Sequence, residues 1–143
     1  MIVAVLDTNV IASGLVGEKN QNSAPGELIR RWRARAFLLV VSRHILDELA
    51  DTLANPYFAQ RMSGGDIAQA LASVEIDAVV QPLTISVVGV ASHPEDDLVL
   101  ATALSAGADF LVTGDRRLRE RGRFGGARLV TAREFLEILD DEN

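Results

Sequence analysis

Two kinds of hydrophobic pattern alternate along the chain. Unbroken apolar runs at 2–6, 37–41 and 110–113, a weaker one at 83–88 and a short fifth at 128–130 carry Val, Ile and Leu without polar alternation. Runs of that kind suit strands buried on both faces, as in a parallel sheet covered by helices. Between them, apolar residues recur at helical spacing over 26–35, 43–53, 65–80, 95–106 and 132–139, and the pattern also resumes at Val10, Ile11 and Leu15. The last helix opens with "TARE" (131–134), a capping-box signature. Strand alternating with helix through right-handed crossovers predicts an α/β fold, a three-layer α/β/α sandwich around a doubly wound, parallel five-stranded sheet. The 143 residues suit one domain, 1–143, with "GEKNQNSAPG" (17–26) as a polar loop and "DDEN" as a disordered acidic tail.

Composition sharpens the class. Hydrophobic residues make up 48% but aromatics only 5%, so the core is aliphatic, which favours α/β over a β-sandwich. Cysteine is absent, which removes disulfides and thiolate zinc sites and fits a reducing cytoplasm. The apolar start is short and lacks a basic leader, and no apolar run approaches the roughly 18 residues of a membrane span. A soluble cytoplasmic protein is therefore expected. The net charge of −6 argues against nucleic-acid binding on its face. Its distribution argues otherwise, because arginines cluster in "RRWRAR" (30–35) and "RRLRERGR" (116–123), either as phosphate-binding patches or as ordinary solvated helix faces.

Four acids stand where chemistry is done in such a fold. Ligands bind an open α/β sheet beyond the carboxyl ends of its strands, where strand order reverses. Asp7 follows the first apolar run and Asp115 ends "FLVTGD", so adjacent central strands would bring both to one crevice. The plainer reading of Asp7 is a cap for the next helix. In "HPEDDLVLATALSAGAD" the helix is apolar on nearly every side, its N-terminus points inward, and Asp97 is the acid closest to the buried segment; Glu95, Asp96 and Asp97 also read as complements to the helix dipole. In "SRHILDELADTL", Glu48 sits at the edge of the stripe made by Ile45, Leu46, Leu49 and Leu53, whereas Asp51 points away and Asp47 stays open. Convergent carboxylates repel unless a cation neutralises them. His44 and His93 have no ligand spacing, so the donors are oxygens, which suit Mg²⁺ or Mn²⁺ and phosphoryl transfer to water.

"LDTNV", "ILDEL", "PEDDLVLATAL" and "ADFLVTGDRRL", in this order along nearly the whole chain, resemble the PIN-domain family, especially its VapC-like branch of toxins from toxin–antitoxin modules. The resemblance implies a Mg²⁺- or Mn²⁺-dependent endoribonuclease cleaving single-stranded RNA, a homodimer, and a co-encoded antitoxin partner. It places the family's catalytic acids on Asp7, Glu48, Asp97 and Asp115, with Asp7, Asp97 and Asp115 on the metal. Thr8, Asn9 and Thr113 match polar residues that support the acids or metal-bound water. Ser92 and His93 depart from the Arg and Asp that relatives often carry there. Arg116, Arg117 and Arg119, directly after Asp115, are expected to bind RNA phosphates.

Two other readings compete. Haloacid-dehalogenase-like phosphatases also begin with an Asp after an apolar strand, but need a second Asp two residues on, where this chain has Asn9, which cannot act as a general acid. A non-enzymatic RNA- or antitoxin-binding module would keep the fold with a decayed site, against which all four acids count.

Overall fold

The computed structural model describes residues 1–142. In chain order the elements are β1 (Val3–Leu6), α1 (Thr8–Gly17), α2 (Ala24–Arg33), β2 (Leu38–Val41), α3 (Arg43–Ala54), α4 (Pro56–Ala59), α5 (Gly64–Asp77) and β3 (Val79–Val80). They continue with α6 (Pro94–Ala106), β4 (Phe110–Val112), α7 (Arg116–Arg119), β5 (Arg123–Phe124), β6 (Ala127–Val130) and α8 (Ala132–Asp141). The sheet order is β3-β2-β1-β4-β6-β5. Five of these strands run parallel, as the sequence pattern predicts, and the hairpin strand β5 adds a sixth, antiparallel to β6.

The chain winds outward from β1 through β2 to β3, then returns through α6 to β4 on the other side of β1. Right-handed crossovers in opposite directions put helices on opposite faces of the sheet, which makes three layers. The reversal falls between β1 and β4, whose register pairs Leu6 with Val112. The crevice at their carboxyl ends is therefore the switch point.

Local chemistry sets most helix boundaries. Side chains of Ser23, Ser42 and Ser63 accept from the N–H groups of Gly26, Ile45 and Asp66 at the starts of α2, α3 and α5. The Thr131–Glu134 capping box starts α8. α2 begins two residues before the predicted start and ends at Arg33, because Arg35 turns to φ +64° and Ala36 N–H closes on Arg31 O at 2.9 Å. Gly26 lies against the backbone of Gly17, so close that a Cβ there would strike it, and this lets α1 and α2 pack together.

Three expectations are corrected. The helix predicted over 65–80 stops at Asp77, and Val79–Val80 forms β3 instead. The run 83–88 forms no strand: its backbone turns away from β2, with the N–H groups of Thr84 and Ile85 held by Ser105 Oγ at 3.0 and 3.1 Å. At the C-terminus, Asp140 and Asp141 of the predicted disordered tail belong to α8, and Asp140 accepts from Arg31 at 2.8 Å. Asn143 lies outside the described residues.

The core is aliphatic around β1, β2 and β4, with Phe135 of α8 packed edge-on against Phe37 and tilted against Phe110, ring centroids 5.1 and 5.4 Å apart. One buried polar link matters for the site. Thr102 of α6 donates to Ser42 Oγ, the cap of α3, at 2.8 Å, with both residues 0% exposed. That bond fixes the start of α3 against α6.

Candidate active site

Where β1 leaves the core, Asp7 donates its N–H to Val112 O at 2.9 Å and its carbonyl accepts from Val10 and Ile11, which starts α1. Its carboxylate makes no cap bond. Instead Oδ2 accepts from Thr113 Oγ1 at 3.0 Å. The same hydroxyl oxygen accepts from Asp115 N at 3.0 Å, so the fully buried Thr113 joins the ends of β1 and β4 and fixes both acids relative to each other. Asp115 does cap a helix, accepting from Leu118 N at 3.2 Å through Oδ1. The capping explanation thus fits the Asp115 carboxylate in part, whereas Asp7 starts α1 through its backbone and turns its carboxylate to Thr113.

The other acids come from α3 and α6. On α3, Glu48 is half-buried while Asp47 and Asp51 are exposed, which removes Asp47 from consideration. His44 Nε2 lies 3.0 Å from Glu48 Oε2, but the angle makes no hydrogen bond: both atoms are buried without a hydrogen-bond partner, as is Thr8 Oγ1 beside Asp7. On α6 the structure separates two neighbours. Asp97 is only 5% exposed because it lies under the 89–91 segment, accepting from Gly89, Val90 and Ala91 N–H at 3.0, 3.1 and 2.7 Å. Asp96 is the acid whose charge reaches Asp7. The structure therefore brings Asp7, Glu48, Asp96 and Asp115 together and directs Asp97, expected from the sequence, to a loop.

The electrostatics follow that division. Burial pushes the Asp7 carboxyl up, the Thr113 hydrogen bond opposes, and the charges of Asp96 and Glu48 push it further. Burial also raises Asp96, reinforced by Asp115 and, less strongly, by Glu48 and Glu95, against a lowering by His93. Asp97 is held below the ordinary aspartate range, first by the Ala91 N–H and then by those of Gly89 and Val90, against a smaller cost of burial. The two neighbours on α6 therefore have opposite linkage to stability. A raised carboxyl favours the folded state only while protonated, so its penalty grows as pH rises above the ordinary aspartate pKa. A lowered one contributes stability above that pKa and loses it in acid. In chelator at pH 7, Asp7→Asn is expected to melt above wild type and Asp97→Asn below it, both differences fading toward pH 3. Thermal melts at the two pH values read the signs directly.

Among the described residues no three His, Asp or Glu groups already stand close enough together to enclose an ion. The donor set nevertheless suits one: carboxylates from four elements, of which Asp7 and Asp96 are raised first by burial and then by neighbouring acidic charge. All are hard oxygen donors of the kind Mg²⁺ and Mn²⁺ take.

The cations divide too. Arg116 and Arg117 are exposed beside Asp115, whereas Arg119 donates to Thr113 O at 3.0 Å and supports the end of β4. Arg117 and Arg121 line a pocket of about 140 Å³ with Ser92 and Asp115. The larger cavity of about 540 Å³ opens elsewhere, beside Leu15, Arg33 and Ala70. The first arginine cluster is engaged within the protein: Arg30 and Arg31 pair with Glu27, Arg31 also with Asp140, and Arg33 with Glu18. Asn9 is exposed and Thr8 is 2% exposed, so of the three expected supporting polar residues Thr113 is the one seen bonded to an acid. Sequence reasoning passed over Asp96 and Arg121; the signal for Asp96 was its place in an acidic triplet at a helix start.

Comparison with known proteins agrees with this architecture. No curated protein matches the chain. Among solved structures, a chain from the crystal structure of VapBC2 from Rickettsia felis bound to a DNA fragment from their promoter is similar in fold, with a TM-score of 0.58 at 14% identity over 90% of this chain and 97% of that one. No helix among the described residues is long and apolar enough to cross a membrane. The family profile described as PIN domain matches residues 3–117, the stretch that contains Asp7, Glu48, Asp96 and Asp115, and the chain belongs to the PIN-domain family.

Proposed function

We propose that this PIN domain is a Mg²⁺- or Mn²⁺-dependent endoribonuclease acting on single-stranded RNA. The observation that carries the reading is the convergence of Asp7, Glu48, Asp96 and Asp115 from four elements at the switch point, where burial and then neighbouring acidic charge raise Asp7 and Asp96. Asp7, Asp96 and Asp115 hold the ion, with Glu48 completing the acidic wall. When bound, the ion supplies Lewis acidity to the phosphate and makes nearby water more acidic. The protein's own groups orient the site: Thr113 sets the spacing of Asp7 and Asp115, and Arg119 braces the strand end that carries Thr113. Exposed Arg116 and Arg117 attract the RNA backbone despite the negative net charge, contributing affinity without sequence information. The fold shared with a chain of a VapBC2 complex supports a further proposal, that the enzyme is the toxin of a toxin–antitoxin pair with an antitoxin partner and a homodimeric form.

Purified protein is expected to cut a single-stranded RNA oligonucleotide with Mn²⁺ and to stop when chelator is added. Cleavage that persists in excess chelator, after contaminating nucleases have been removed, would contradict the assignment.

A further inference from the structure

We propose that Asp97 and Arg121 together clamp the 89–91 segment as the wall of a substrate phosphate pocket, so that Asp97 positions RNA instead of binding the ion. The proposal rests on the nuclease reading above. Three consecutive backbone N–H groups converge on one carboxylate: Ala91 and Val90 donate to Oδ1 at 2.7 and 3.1 Å, and Gly89 to Oδ2 at 3.0 Å. Gly89 adopts φ +73°, a conformation that favours glycine. From the opposite side Arg121 Nη2 donates to Val90 O at 3.1 Å. Val90 is thus tied through its N–H to α6 and through its carbonyl to the residue that follows α7 and Glu120.

This clamp forms one side of the pocket of about 140 Å³ lined by Val90, Ala91, Ser92, Asp115, Arg117 and Arg121. Two guanidinium groups and a serine hydroxyl give it the chemistry of a phosphate subsite, and Asp115 is shared with the acidic cluster, which places the subsite directly beside the reacting centre. Three of the carboxylate's roughly four lone-pair sites are taken by these N–H groups, and the residue is 5% exposed beneath the segment, so Asp97 is committed to the loop. Its contribution therefore reaches RNA through the segment it holds.

The test uses the full chain, an RNA oligonucleotide and Mn²⁺, with variants Asp97→Asn and Arg121→Ala. Asn keeps one acceptor but turns an N–H toward the loop donors, which weakens the clamp without deleting the side chain. Arg121 is exposed, so its replacement leaves the fold intact. Each variant is expected to raise KM by about tenfold, the loss of one charge-assisted contact, while kcat stays within about twofold. Mn²⁺ affinity, measured by calorimetry without RNA, should be unchanged. The double variant should show less than the product of the two effects, because both act on one segment. Amide exchange at Gly89–Ala91 should accelerate in Asp97→Asn. Weakened Mn²⁺ binding in Asp97→Asn, or an unchanged KM in both variants, would overturn the proposal. Should wild type cleave no RNA, the nuclease reading fails and RNA Kd becomes the readout: a weaker Kd in both variants supports the clamp, and an unchanged Kd overturns it.

Discussion

Asp96→Asn is expected to lower Mn²⁺-dependent RNA cleavage by about a thousandfold, with Asp7→Asn similar. The size follows from the several kcal/mol that a correctly held ion supplies to the transition state, at about 1.4 kcal/mol per factor of ten. Each replacement keeps the side-chain volume and removes one anionic oxygen donor from a cluster in which Asp7 feels the charge of Asp96, and Asp96 that of Asp115. Asp97→Asn, one residue along, is expected to retain kcat, since its carboxylate is occupied by the amides of Gly89, Val90 and Ala91. The contrast between two adjacent aspartates on one helix is the sharpest consequence of the geometry. Single-turnover cleavage at saturating Mn²⁺ measures it, and equal losses at both positions would place both carboxylates on the reacting centre.

Much of the fold was legible because the sheet is parallel and buried. The apolar runs ending at Leu6, Val41 and Val112 needed no alternation to be read as strands, and Thr131 with Glu134 marked the start of α8. The stretch between α5 and α6 misled for a physical reason. Leu83, Ile85 and Val88 are 41, 44 and 85% exposed, so their hydrophobicity reports no core position. The true edge strand is two residues long, too short to show a period, and its Val79 and Val80 also fit the apolar pattern of the preceding helix.

The site was legible where strand ends fixed it. Asp7 and Asp115 follow from the positions of β1 and β4, and Glu48 from the helical stripe of α3. Asp96 did not follow, because α6 is apolar around most of its circumference and the wheel gives no direction to its acids. Choosing the acid nearest the buried segment selected Asp97, and that residue is indeed the more buried, but the cover is the 89–91 segment and not the acidic crevice. Backbone donors that arrive from a loop leave no mark in side-chain periodicity. Nor could spacing along the chain show that "RRWRAR" meets Glu18, Glu27 and Asp140, whereas Arg116 and Arg117 after Asp115 are exposed.

The claim that four acids converge to hold one kind of ligand is tested most directly by melting the RNA-free protein during a Mn²⁺ titration. A ligand bound only by the folded state stabilises by RT ln(1 + [L]/Kd), about 2.7 kcal/mol at a hundredfold excess over Kd. For a chain of this size that raises Tm by roughly 10 °C. In chelator, Asp7→Asn and Asp96→Asn should start at or above the wild-type Tm, since each relieves repulsion, and Mn²⁺ should then move them far less. Asp97→Asn should start lower and keep the full Mn²⁺ shift. A wild-type Tm indifferent to Mn²⁺, or an undiminished shift in Asp7→Asn and Asp96→Asn, would contradict the account.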